Sequence, residues 1–292
     1  MFHKFDVDHS LKKYTTLHIG GKADYFISVP DVPTMQEVLR FCYRQQLPYF
    51  ILGKGSNLLI AEENFAGLVI ANRIDFFHYL KPSSWHVGAG YSFSLLGSKT
   101  AKQGFAGLEF ASGIPASVGG AVYMNAGANG HETCQTLLSV DFVTEEGILI
   151  SLPKSELDFS YRNSSFQQMK GAIVGATFML SAAGEARQNQ LSIIQYRKNT
   201  QPYNAKSAGC IFRNPLPHSA GKLIEESGLK GMQIGGAQVS TTHANFIINT
   251  GNASAEDMRQ LIALVRNRVQ ECTGVTLESE IRTLSFKLIS EN

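Results

Sequence analysis

The chain has 292 residues, 43% of them hydrophobic and 17% charged, with a formal net charge of +2 at pH 7. That length suits about two domains of roughly 150 residues each and is enough to bury a full core. A near-neutral balance with no Lys/Arg run argues against a nucleic-acid binder, while the small positive excess suits an anionic small molecule. The four cysteines, Cys42, Cys134, Cys210 and Cys272, lie far apart, so there is no CxxC, no zinc spacing and no expected metal site. The opening MFHKFDVDHSLKKY lacks the apolar core of a signal peptide, and no apolar run approaches the ~20 residues of a membrane span. The expected compartment is the cytoplasm, with reduced thiols and no membrane insertion.

In chain order, Ala23–Val29 reads as a strand ended by Pro30. Thr34 reads as a helix N-cap with Glu37 as its capping-box partner, ahead of an apolar stripe of Met35, Val38, Leu39 and Cys42 that closes before Pro48. Phe50–Leu52 is a short buried strand running into Gly53-Lys54-Gly55. Further strands are predicted at Gly67–Ala71, His86–Ala89, Ile148–Leu152 and Ala172–Leu180, with a helix capped by Ser92 and ending before Gly104. A polar helix spans about Gly184–Arg197 and Pro202 breaks the chain, so the domain boundary is placed near residue 190. Beyond it, Asn245–Asn249 and Ile281–Leu288 read as strands around a long helix. Ser254 caps that helix, Met258, Leu261, Ile262, Val265 and Val269 form its apolar face, and Gly274 ends it. The expected class is α+β, with a sheet covered by helices on one face.

Two glycine-rich segments stand out. Gly107 to Gly127, GLEFASGIPASVGGAVYMNAG, has Gly or Ala at nearly half its positions and almost no charge. Glycine costs about 1 kcal/mol inside a regular element, but it lets backbone N–H groups approach an anion or a flat ring. Gly53-Lys54-Gly55-Ser56-Asn57-Leu58 follows a strand in the same way. It is neither a Walker loop nor a GxGxxG fingerprint, and taken alone a tight β-turn explains it equally well. In Ser160-Tyr161-Arg162-Asn163, Arg162 offers a rigid fork of donors for a carboxylate or phosphate, although a solvated turn arginine is the commoner case. Cys210, after Gly209, reads locally as a small buried hydrophobe. Glu278, Glu280 and Arg282 alternate onto one strand face, where a solvent face is the plain alternative, and His243 is ambiguous.

Taken in order, these segments resemble the UDP-N-acetylenolpyruvoylglucosamine reductase family of peptidoglycan synthesis, from about Thr15 to Arg282. The matching motifs are TLHIGG from Thr16, GKGSNLL from Gly53, the Gly107–Gly127 stretch, SYRNSSF from Ser160, AGCIFRNP from Ala208, AGKLIEESGLKG from Ala220, IGGAQVSTTHANF from Ile234 and LESEIR from Leu277. The unbroken AGKLIEESGLKGMQIGGAQVS block is similar to the shorter class, which lacks an extra substrate-gripping loop and its tyrosine. The resemblance implies a two-part FAD-binding domain of the vanillyl-alcohol-oxidase (PCMH) type over 1–190, its subdomains meeting near 75–85. An α+β substrate-binding domain over 191–292 follows. It implies noncovalent FAD, NADPH as hydride donor, and reduction of UDP-N-acetylglucosamine enolpyruvate to UDP-N-acetylmuramate.

On the same resemblance, Gly53, Lys54, Gly55, Ser56, Asn57 and Leu58 bind the cofactor with Gly113, Ile114, Pro115, Ser117, Val118, Gly119, Gly120 and Ala121, and Asn125 and Gly127 lie close by. Arg162 and Glu280 match the pair that binds and polarises the enolpyruvyl group; beside a carboxylate, Glu280 is either protonated or paired with Arg162. Tyr161, Asn214, Lys222 and His243 match substrate-contacting positions. One position departs: where the family usually places a proton-donating serine, this chain has Cys210. A thiol, with pKa about 8.5, donates only while protonated, so activity is expected to fall as pH rises through that value. Two other readings stay open at this point. One is an oxygen-using flavoprotein of the same superfamily, disfavoured because no His adjoins the first glycine loop. The other is a sugar-nucleotide-binding protein without catalysis, suggested only by Cys210.

Overall fold

A computed structural model describes residues 2–284 apart from Pro82. Its contacts group the chain into two compact units, neither continuous in sequence. The first comprises 2–6, Tyr25–Lys54 and Gly67–Tyr196; the second comprises Val7–Asp24, Gly55–Ala66 and 197–284.

In the first unit, strands within Lys22–Val29, Phe65–Asn72 and Tyr49–Leu52 neighbour one another in that order. The last two run parallel, with Tyr49 opposite Leu68 and Leu52 opposite Ala71. Helix α1, Val32–Gln45, connects the first strand to Tyr49–Leu52 and buries Met35, Val38, Leu39 and Cys42. Its cap differs from expectation: Asp31, not Thr34, is the N-cap, and its carboxylate accepts from the Thr34 N–H at 2.8 Å. Asp31 has extended backbone and Pro33 sits in the first turn, where its missing N–H costs nothing, so the helix starts three residues early.

A second, antiparallel sheet follows, in the order Leu149–Pro153, Leu137–Thr144, Gly171–Met179, Ser84–Gly88 and Phe77–Lys81. One face carries Trp85, Val87, Val140, Phe142, Ala176 and Phe178 into a core shared with helices α2, Phe93–Lys102, and α3, Val118–Tyr123. Toward one end, Val143, Ala172 and Val174 join the core of α1. Helix α2 is capped by Ser92 as expected. Helix α4, Ala186–Thr200, runs across the division between the units.

In the second unit an antiparallel sheet takes the order Lys206–Cys210, Phe246–Asn249, Ala237–Val239, Gln233–Ile234. Helix α5, Ala220–Glu226, and helix α6, Ala255–Thr273, bury Ile224, Met258, Leu261, Val265 and Val269 in one core with Ala237, Val239 and Ile247. Ser254 caps α6 and Gly274 ends it at φ 74°, both where the sequence puts them, and Asp257 completes a capping box with Ser254. Leu58–Ile60 pairs in parallel with Arg282–Leu284. The remainder of the expected strand, 285–288, lies outside the described residues.

Candidate active site

In the first unit the strand Tyr49–Leu52 delivers Gly53 and Lys54 next to the start of α3. Ser117 caps α3 by accepting from the Gly120 N–H at 3.2 Å. A Cβ on Gly53 would lie 2.5 Å from Ser117 Oγ, so this approach needs glycine. Two cations stand here. Lys54 Nζ donates to Ser92 Oγ at 2.7 Å, and an Arg73 Nη donates to the Gly53 carbonyl at 3.0 Å. Burial pushes the Lys54 pKa down and the Arg73 charge pushes it further, with Asp75 acting in the opposite sense. Two mutually repelling cations over a glycine turn form an electropositive cradle suited to a phosphate-bearing group.

The second glycine stretch is partly packing. The N–H groups of Val118, Gly119 and Ala121 donate to the carbonyls of Tyr91, Ala89 and Ser117. A Cβ on Gly119 would sit 2.9 Å from the Ala89 methyl. Asn125, expected close to the cofactor, is fully buried with its carboxamide engaged by protein groups. Its Nδ2 donates to Glu132 Oε2 at 2.9 Å and to the Ser160 carbonyl at 3.0 Å, while Oδ1 accepts from the Cys134 N–H at 3.1 Å. Arg162 lies in the tight hairpin between Phe159–Ser160 and Asn163–Ser164. Its guanidinium donates to the Gly127 carbonyl at 3.1 Å and stacks on Tyr161, 4.7 Å from the ring centre.

The second unit holds the remaining residues. Gly55 sits at φ +62°, and a Cβ there would collide with the Tyr14 carbonyl, so this turn also requires glycine. Asn57 Nδ2 donates to the Glu280 carbonyl at 3.2 Å. Cys210 ends its strand after a register shift, with Gly209 at φ +79°, and is half-buried. The chain after it is held from two sides. Buried Asn245 accepts from Phe212 N–H at 2.9 Å and donates to the Phe212 carbonyl at 2.8 Å, and its own carbonyl accepts from Ile211 N–H at 2.9 Å. On the other side Glu280 N–H donates to the Ile211 carbonyl at 2.7 Å. Cys210 and Glu280 are thereby brought to neighbouring backbone positions.

His243 stacks edge-on against Phe246, and its Nδ1 accepts from the Asn245 N–H at 3.3 Å, which puts the proton of the neutral ring on Nε2. Burial first, then the charges of Lys230 and Arg197, lower its pKa, partly opposed by a backbone hydrogen bond and Glu225. Asn214 Oδ1 accepts from the Ala220 N–H at 3.0 Å at the start of α5. Lys222 is exposed, 3.7 Å from Glu226 one turn on, a pairing worth under about 1 kcal/mol.

Asn245 and Arg197 are not among the site residues expected from the sequence, although Asn245 lies in the IGGAQVSTTHANF motif. Among the described residues, Arg197 Nε is buried without a hydrogen-bond partner. Burial pushes its pKa down, and charge on Cys210 and Tyr203 would push it back up. Arg197 comes from the last turn of α4, so only folding places it within electrostatic reach of Cys210.

Residues 23–153 match the model of an FAD binding domain, and residues 201–284 match that of the UDP-N-acetylenolpyruvoylglucosamine reductase C-terminal domain. A UDP-N-acetylenolpyruvoylglucosamine reductase of Protochlamydia amoebophila is 62% identical over 276 residues, covering 94% of this chain and 92% of that protein. One from Chlamydia felis is 44% identical over 278 residues, covering 95% and 94%. The crystal structure of the reductase from Thermus caldophilus superposes with a TM-score of 0.82 at 36% identity, covering 96% of this chain and all of the other. With both domain models matched in order and similarity running almost end to end, the chain belongs to the UDP-N-acetylenolpyruvoylglucosamine reductase family.

Proposed function

We propose that this chain reduces UDP-N-acetylglucosamine enolpyruvate to UDP-N-acetylmuramate with NADPH, using noncovalently held FAD. The observation that carries this reading is the glycine cradle of Gly53 and Ser117 under Lys54 and Arg73, within a matched FAD binding domain. Gly53, Lys54 and Ser117 hold the cofactor's diphosphate end in this proposal, and residues 191–292 hold the UDP-sugar. Bound there, FAD would supply the hydride chemistry between NADPH and the terminal carbon of the enolpyruvyl double bond.

The chain's own residues complete the addition. Cys210 gives its thiol proton to the neighbouring carbon, leaving a thiolate. The Arg197 charge favours that thiolate, as it lies within electrostatic reach of the sulfur. Arg162 supplies charge-assisted hydrogen bonds to the substrate carboxylate, toward which negative charge moves. Glu280, fixed beside Ile211, acts on the same enolpyruvyl group. His243 presents an Nε2–H donor to the sugar nucleotide, and Tyr161, Asn214 and Lys222 line its path.

Anaerobic spectroscopy of the purified protein tests the whole reading. A flavin spectrum bleached by NADPH and restored by one equivalent of the enolpyruvyl substrate is expected. Restoration by oxygen alone, with the substrate inert, would point to an oxidase; a colourless protein that binds the UDP-sugar would point to a non-catalytic homologue.

A further inference from the structure

Arg162 occupies the second of the two central positions of its hairpin turn, with φ +57°. That left-handed region is where such turns take glycine or asparagine, and a long branched-charge side chain there is held only by its surroundings. The surroundings are specific. Gln167, five residues on, donates from Nε2 to the Arg162 carbonyl at 3.1 Å and to the Tyr123 carbonyl at 3.1 Å. Both amide hydrogens thus meet carbonyl oxygens, and the flipped amide would set oxygen against oxygen, so the orientation is fixed. Ser164 Oγ donates to the same Tyr123 carbonyl at 2.7 Å, and Asn125 holds the Ser160 carbonyl on the other strand. The hairpin is bolted to residues 123–127, whose last carbonyl, that of Gly127, receives the Arg162 guanidinium.

We infer that Gln167 is a positioning residue for Arg162: its carboxamide ties the Arg162 carbonyl to that of Tyr123 and fixes the left-handed turn from which the guanidinium works. The inference rests on the assignment of Arg162 to the substrate carboxylate. Without the tie the turn relaxes toward ordinary backbone angles, and a displacement of about 1 Å at a reacting centre costs on the order of a hundredfold.

Gln167→Met keeps the length and removes both donors. In the flavin-loaded enzyme it should slow reoxidation by the enolpyruvyl substrate about 10- to 100-fold. Bleaching by NADPH and flavin content should stay at wild-type values. In an Arg162→Ala background the same change should add nothing further. Gln167→Glu gives a second reading: its carboxylate has no proton to donate, so reoxidation relative to wild type should recover as pH falls and the acid regains one donor. Parallel loss of both half-reactions and of flavin content would mean a merely structural role and overturn the inference, as would an undiminished loss in the Arg162→Ala background. A slow Arg162→Ala enzyme beside an unaffected Gln167→Met enzyme overturns this inference alone. An Arg162→Ala enzyme that reoxidises normally overturns the reading of Arg162 and this inference with it.

Discussion

The contact between Gly53 and Ser117 allows a quantitative test of the cofactor cradle. Gly53→Ala places a methyl 2.5 Å from Ser117 Oγ, so the hydroxyl must swing away and release the Gly120 N–H. The loss is that of an N-cap, about 1 kcal/mol within a range of 0.5–2. Ser117→Ala removes the same cap directly and should cost about the same. The double variant is the informative one. Its new methyl meets only the Cβ at position 117, 3.6 Å away, which is ordinary van der Waals contact. The cap is then lost once rather than twice, so the pair should cost about 1 kcal/mol, with a coupling energy near 1 kcal/mol instead of additivity. Denaturant unfolding of the apoprotein reads the stability cycle, and titration of apoprotein with FAD by fluorescence quenching reads the binding cycle. Strictly additive losses near 2 kcal/mol would refute the argument that Gly53 is glycine because of Ser117.

Two further outcomes follow from the charges. Lys54→Met removes a half-buried cation from the cradle and should weaken FAD binding about 10- to 100-fold, from 1.5–3 kcal/mol for a hydrogen bond to a charged group. The salt dependence of FAD affinity should shrink with it, as measured by titration at several ionic strengths. His243, its pKa lowered by burial, resists protonation in the folded state, so the unfolded chain binds more protons once pH falls below about 6.5. That contribution to stability is full above about pH 6.5 and drains away as pH falls toward the lowered folded-state pKa; melting curves of His243→Phe should show a flatter decline over that window.

Much of the frame was legible because its signals are local. Ser254 and Gly274 bracket α6, Ser92 starts α2, and the apolar stripe of α1 lies in the sequence at helical spacing. Asp31 and Thr34 are both good capping residues, and only the first-turn preference of Pro33 separates them. The strand Leu137–Thr144 is not legible in the sequence because Asp141 interrupts its apolar run, and that carboxylate faces His86 on the next but one strand at 2.6 Å, a pairing no local window contains. The glycine loops stood out by composition, yet part of their role is close packing, as at Gly119. Arg197 and Gln167 lie outside every matched motif, and Asn245 lies inside one without a role that its neighbours in sequence define; each acquires its role from partners that tertiary folding or a strained turn supplies.

The claim most particular to this chain is that Cys210 donates the proton, and stopped-flow reoxidation of the NADPH-reduced enzyme by the enolpyruvyl substrate tests it directly. Cys210→Ala should be bleached by NADPH at the wild-type rate yet fail to reoxidise, while Cys210→Ser should retain substantial reoxidation. Reoxidation of the alanine variant at near wild-type rate would contradict the account.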